Sequence, residues 1–220
     1  MKCLPHLLFE TGAAPRHSLI WLHGLGADGS DFVSMVDELR LPVPVRYLFP
    51  DAPKRPVTVN GGFVMRAWYD IVAMDIAARQ DAEGIAASQA EIECLIAAEV
   101  ARGIPPARIF LVGFSQGGAV ALHTGLRHAD PLGGIVALST YLPLAETVAA
   151  ELSSAAKQTP VFMAHGRSDP VVSFGLGQRS AAQLRQLGCT LDWHDYAMPH
   201  SLCAAEVRDL ERWLTQKLSA

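Results

Sequence analysis

From residue 108 to residue 122 the chain reads Arg-Ile-Phe-Leu-Val-Gly-Phe-Ser-Gln-Gly-Gly-Ala-Val-Ala-Leu, an apolar run that turns through Gly113-Phe114-Ser115-Gln116-Gly117 into a helical stretch. A serine held at the point of so sharp a strand-to-helix turn has a strained backbone. The positions two residues either side must then be small, because chain segments crowd there, and Gly113 and Gly117 fill both. The helix that follows offers unpaired N–H groups and the positive end of its dipole to an anion forming beside Ser115.

That unit predicts its surroundings. Apolar runs rich in Val, Ile, Leu and Phe alternate with longer amphipathic stretches, the pattern of βαβ units. Strands are expected at 18–23, 45–49, 109–113, 134–138, 161–164 and 191–196, most of them apolar throughout, as parallel strands covered on both faces are. Helices are expected at 31–40, 82–102, 117–128, 145–157, 177–186 and 202–218. Ser30 or Asp31 would cap the first and Ser201 the last, while Gly103 before Pro105-Pro106 and Gly188 would end the second and fifth. The expected fold is α/β, a mostly parallel sheet flanked by helices on both faces, in one domain over residues 1–220. Only the segment from about 51 to 81 lacks a period, and a connection of that length is usually functional; it is expected to wall a pocket.

A serine hydroxyl needs a base to take its proton, and the base needs a carboxylate to fix its tautomer. In this topology the order is Ser, acid, His, each on a loop after a strand. Asp169 follows the strand at 161–164, and His200 follows the strand at 191–196. Asp192, His194 and Asp195 fall within a strand, His123 and His128 ride the helix beyond Ser115, and His165 at a strand end is expected to brace its loop. Acyl transfer also needs two N–H donors for the oxyanion. Gln116 supplies one, and Leu25, in His23-Gly24-Leu25-Gly26 after the first expected strand, supplies the other.

The same glycines spell a rival, since Gly24-Leu25-Gly26-Ala27-Asp28-Gly29 has the form of a dinucleotide-binding loop, with Asp51 on the far side of the next strand. An oxidoreductase of that kind leaves Ser115, Asp169 and His200 unexplained, and so does a binding protein that has lost catalysis.

Composition narrows the partners. A formal net charge of -4 gives no basic field for nucleic acid. No apolar run approaches the length needed to cross a bilayer, so no stable membrane insertion is expected. Cys3, Cys94, Cys189 and Cys203 are scattered without metal-binding spacing and are expected as reduced thiols. With no signal-peptide pattern at the amino terminus, a cytoplasmic location is expected.

Taken together, Leu22 to Gly29, Gly113 to Gly118, Trp68-Tyr69-Asp70, His165-Gly166 with Asp169-Pro170-Val171-Val172, and Met198-Pro199-His200-Ser201 resemble the carboxylesterase, lysophospholipase and acyl-protein thioesterase family over nearly the whole chain. The resemblance implies Ser115, Asp169 and His200 as catalytic triad, the Leu25 and Gln116 amides as oxyanion hole, and no metal or organic cofactor. It implies an acyl group in an apolar groove, for which Phe63, Met65, Trp68, Met74, Tyr141, Leu142, Val172 and Phe174 are the expected walls. A carboxylesterase acting on short to medium acyl chains is the expected activity, with lysophospholipase or acyl-protein thioesterase as alternatives and weak homodimerisation as a family trait.

Overall fold

The computed structural model describes residues 3–73 and 79–219. Along the chain run β1 (His6–Glu10), β2 (His17–Leu22), a 3-10 turn at Gly29–Phe32, α1 (Met35–Glu38), β3 (Val45–Pro50), β4 (Lys54–Val57) and β5 (Phe63–Arg66). Then follow α2 (Ala82–Ala101), β6 (Ile109–Phe114), α3 (Gln116–Arg127), β7 (Gly134–Leu138), α4 (Val148–Glu151), β8 (Val161–Gly166), α5 (Phe174–Gln186), β9 (Leu191–Tyr196) and α6 (Ala204–Leu218).

Seven strands form the main sheet in the order β1-β3-β2-β6-β7-β8-β9, parallel except for β1, which runs antiparallel to β3. Because side chains alternate along a strand, β2 sends Leu19 and Trp21 to one face and Ile20 and Leu22 to the other, all fully buried. On the first face they meet Phe110, Phe162 and the α6 residues Leu210, Trp213 and Leu214. The second face packs against Ile85 and Ile92 of α2 and Val120 of α3. The register brings Leu22 opposite Gly113, Phe114 opposite Leu138, and Gly166 opposite Tyr196. The carboxyl ends of β2, β6, β8 and β9 therefore open on one rim of the sheet.

Several details depart from expectation. β1 was not anticipated: it is an exposed edge strand, with Leu7 and Leu8 each 44% exposed, and carries no buried alternation to read. The segment expected to be irregular contains the hairpin β4–β5, which turns through Gly61 and Gly62, both at positive φ. The helix expected at 31–40 is a 3-10 turn followed by the single turn of α1. Asp28, not Ser30 or Asp31, caps it by accepting the Ser30 N–H. At 145–157 only α4 is helical. Beyond it the Ser153 Oγ accepts the Ala156 N–H, a side-chain bond that starts a separate turn. At α6, Cys203 rather than Ser201 occupies the cap position, without a side-chain bond.

The expectation of four reduced thiols is corrected as well. Cys3 and Cys94 are joined in a disulfide with Cα atoms 5.7 Å apart, and only Cys189 and Cys203 are free. Two partners 91 residues apart leave no spacing signal in a sequence.

Candidate active site

Ser115 lies between β6 and α3 with φ 54° and ψ −119°, a region costly for any residue with a Cβ. The surroundings hold it there. Its N–H donates to Leu138 O on β7 at 2.9 Å, and its carbonyl accepts the Thr140 Oγ1–H at 2.6 Å. A Cβ on Gly113 would strike the Gly117 backbone, and one on Gly117 would strike the carbonyls of Leu22 and His23. The glycines at both positions are thus required by backbone approach within the turn and from the loop after β2.

Asp169 and His200 come together at the ends of β8 and β9. The Asp169 side chain is wholly buried. Its Oδ1 accepts the backbone N–H groups of Val171 and Val172 at 2.8 and 2.9 Å, and its Oδ2 accepts His200 Nδ1–H at 2.7 Å. A carboxylate that only accepts obliges His200 Nδ1 to carry the proton, which leaves Nε2 bare as the basic nitrogen. The imidazole packs on the ring of Phe114, centroids 4.7 Å apart, next to Ser115 in the chain. A Cβ on Gly166 would collide with the Met198 and Pro199 carbonyls, so this glycine admits the loop that carries His200.

The other candidates are occupied elsewhere. His165 is fully buried and donates from Nε2 to Val172 O at 2.9 Å, bracing the Asp169 loop; burial lowers its pKa. His123 is buried, with its pKa pushed down to about 4, and His128 pairs with Glu93 at 2.8 Å. Asp192 accepts the Trp213 indole N–H, and Asp195 pairs with Arg167. His194 stacks on Phe162. Asp51, the acid of the rival dinucleotide reading, accepts Gly29 N–H at 2.9 Å and pairs with Arg66 at 2.9 Å; it ties the glycine loop to the hairpin instead of standing ready for a ribose.

Two backbone N–H groups near this rim have no acceptor among the described residues. Gln116 is the first residue of α3, where no intrahelical acceptor exists. Leu25 N–H has no acceptor among the described residues. Both residues border, with Ser115, a cavity of about 410 Å³ whose remaining walls are Val59, Asn60, Tyr69, Ile71, Ala73, Tyr141, Pro170, Val171 and Val172. The Tyr69 and Tyr141 hydroxyls bond each other at 2.8 Å.

Of the walls expected from sequence, Tyr141 and Val172 border this cavity. The other described ones lie elsewhere. Phe63 stands 69% exposed on the hairpin, because β5 turns it outward. Met65 lies against Gly26, and Leu142 joins the core. Phe174 packs beside His165 and Trp193, while Trp68 is fully buried behind the site. Met74 lies outside the described residues. Val59, Asn60, Tyr69, Ile71, Ala73, Pro170 and Val171 were missed, since each gains its place only from the path of the chain around it; the one available signal was their nearness in sequence to the residues that were chosen.

Sheet order and serine turn together define the class: a serine hydrolase of the α/β-hydrolase fold. The phospholipase/carboxylesterase family pattern matches residues 8–218. The chain belongs to that family. An acyl-protein thioesterase 1 of Mycosarcoma maydis is 40% identical over 228 aligned positions, covering 96% of this chain and 95% of that one. A probable carboxylesterase of Oryza sativa subsp. japonica is 36% identical, covering 100% of this chain and 84% of its own. Among solved structures, Arabidopsis thaliana SOBER1 superposes with a TM-score of 0.88 at 31% identity, covering 92% of this chain and 99% of that one. Zea mays acyl-protein thioesterase 2 gives 0.84 at 30%, covering 98% and 99%.

Proposed function

We propose that Ser115 is the nucleophile, His200 the base, Asp169 the residue that orients His200, and that the Leu25 and Gln116 amides receive the oxyanion, within one catalytic domain spanning residues 1–220. The observation that carries this reading is the bond from His200 Nδ1 to the buried Asp169 carboxylate at 2.7 Å, beside a strained serine that opens on a cavity.

In the reaction so read, Ser115 Oγ attacks the acyl carbon as its proton passes to His200 Nε2. The carbonyl electrons move onto the oxygen between the two amides. Collapse expels the alcohol or thiol, which takes the proton from His200. Water, deprotonated by the same nitrogen, then releases the acid.

The substrate is proposed as a carboxylic ester with a short to medium acyl chain. The cavity supports this, being of small-molecule size and mostly apolar, with Leu25, Ile71, Pro170, Val171 and Val172 around Ser115. A second reading, an S-acyl thioester on a protein, is favoured by the thioesterase relatives, and it uses the same machinery with a thiolate leaving group. A chain-length series of p-nitrophenyl esters, run beside a lysophospholipid and an S-acyl peptide, separates them. We expect kcat/KM to peak on short to medium esters; a preference for the long-chain S-acyl peptide transfers the assignment to the thioesterase.

No helix among the described residues is long and apolar enough to cross a membrane. A cytoplasmic location is part of the proposal, although the Cys3–Cys94 disulfide weighs against it, because such bonds persist mainly in oxidising compartments. Thiol titration of protein taken directly from cells decides between them. Weak self-association is proposed too, supported by the exposed apolar edge strand β1, and sedimentation measures it.

A further inference from the structure

The two proposed oxyanion donors lie on separate chain segments, Leu25 beyond β2 and Gln116 at the head of α3. Their value depends on spacing, since a misplacement of about 1 Å in a catalytic group can cost about 10²-fold in rate. The sheet registers only the bases of these segments, where Leu22 lies opposite Gly113.

Beyond the sheet the segments touch where Gly117 packs on the Leu22 and His23 carbonyls, and one residue adds hydrogen bonds to both. Trp68 donates its backbone N–H to the Gln116 side-chain Oε1 at 2.8 Å and its indole N–H to the His23 carbonyl at 2.9 Å. Gln116 returns a second bond, from Nε2–H to Tyr69 O at 2.8 Å. His23 carries the tie onward, for its Nε2 accepts the Ala52 N–H at 3.0 Å and its Nδ1–H therefore donates to Gly24 O at 2.7 Å. That pattern requires the neutral imidazole, and burial keeps its pKa below the usual value. Behind the brace, Ser88 Oγ on α2 donates to the Trp68 carbonyl. Trp68 is 0% exposed and Gln116 3%, so water does not compete for these bonds.

We propose that Trp68 is a positioning residue for the oxyanion hole: its backbone and indole N–H groups, bonded to the Gln116 side chain and the His23 carbonyl, hold the two donor-bearing segments at the separation the tetrahedral intermediate needs. This rests on the reading of the Leu25 and Gln116 amides given above. Charge develops on the oxygen only in the transition state, so loosening the brace lowers kcat and leaves substrate binding alone. A groove wall would behave otherwise, raising KM more for long acyl chains than for short ones.

Trp68→Phe keeps the aromatic bulk and removes the indole donor. Gln116→Met keeps the backbone N–H and side-chain length and removes both the acceptor for Trp68 N–H and the donor to Tyr69 O. Both are assayed with acetyl and octanoyl p-nitrophenyl esters and with an alkyl trifluoromethyl ketone. The ketone carbon bonds to Ser115 Oγ, the serine proton passes to His200, and the carbonyl π pair becomes an oxyanion in the hole. With each variant we expect kcat to fall about 10- to 100-fold on both esters, KM to stay within about twofold, and ketone affinity to fall in step with kcat/KM. Normal kcat in a folded variant, or a loss confined to KM that grows with chain length, overturns the proposal. If circular dichroism shows Trp68→Phe unfolded, Gln116→Met decides alone. Turnover surviving in Ser115→Ala would remove the underlying assignment of the nucleophile, a result distinct from failure of the brace.

Discussion

Ser115 occupies a backbone setting that few residues could share, while Asp169 and His200 are fixed by the bond between their side chains. Ser115 sits at φ 54°, a conformation that costs on the order of 1–3 kcal/mol and persists only when its neighbours impose it. Asp169 spends one oxygen on two backbone N–H groups and keeps the other for His200. Asp169→Asn should therefore lower kcat by about 10⁴, because an amide can present N–H to His200 and stabilise the wrong tautomer. Stopped-assay turnover on an acetyl ester measures it, and a near-normal rate would move the acid's role elsewhere. These three positions were legible because a strand ending in glycine, or in a short loop before Asp or His, leaves a mark in sequence. Trp68 was legible only as a large residue near the site. Nothing in sequence separates a wall from a brace, since the difference lies in which carbonyl its indole meets.

Among the elements, β2, β3, β6, β7 and β8 were readable from their mostly apolar runs, because burial on both faces demands such composition. Short elements were not. α1 and α4 are single turns, too short to show a helical period, and the hairpin β4–β5 has too few buried positions to show one of its own. α6 holds a further group that sequence alone would place at the surface. Glu206, in its first turn, is fully buried with neither carboxyl oxygen hydrogen-bonded among the described residues, and burial pushes its carboxyl up to about 8 from an ordinary 4.5. The folded protein keeps this proton where the unfolded chain has lost it, so stability falls as pH rises through the window between those values and levels off above it. Glu206→Gln, which is neutral at every pH, should raise the unfolding midpoint little near pH 5 and progressively more towards pH 8. Thermal unfolding across that range tests this, and a gain independent of pH would contradict it.

At the scale of the whole molecule, the disulfide joins the chain just before β1 to the middle of α2, closing a long loop around the sheet edge. Removing such a link typically costs about 2–4 kcal/mol. Cys3→Ser should lower stability by about that amount in guanidinium unfolding, and dithiothreitol should bring the unmutated protein to the same level while leaving the variant unchanged. Equal stabilities before and after reduction would show the bond to be idle. The fold class was readable at this scale because alternation of strand and helix admits few topologies. The disulfide was not, because it depends on where α2 lies in three dimensions.

The strand order has a consequence for how the protein is made. The proposed triad residues Ser115, Asp169 and His200 follow β6, β8 and β9, and they leave the ribosome in that sequence. A nascent chain that already carries its serine has neither acid nor base to arm it. On the proposed reading, the growing polypeptide and any copy clipped before His200 lack the base that would activate Ser115, so full competence arrives late.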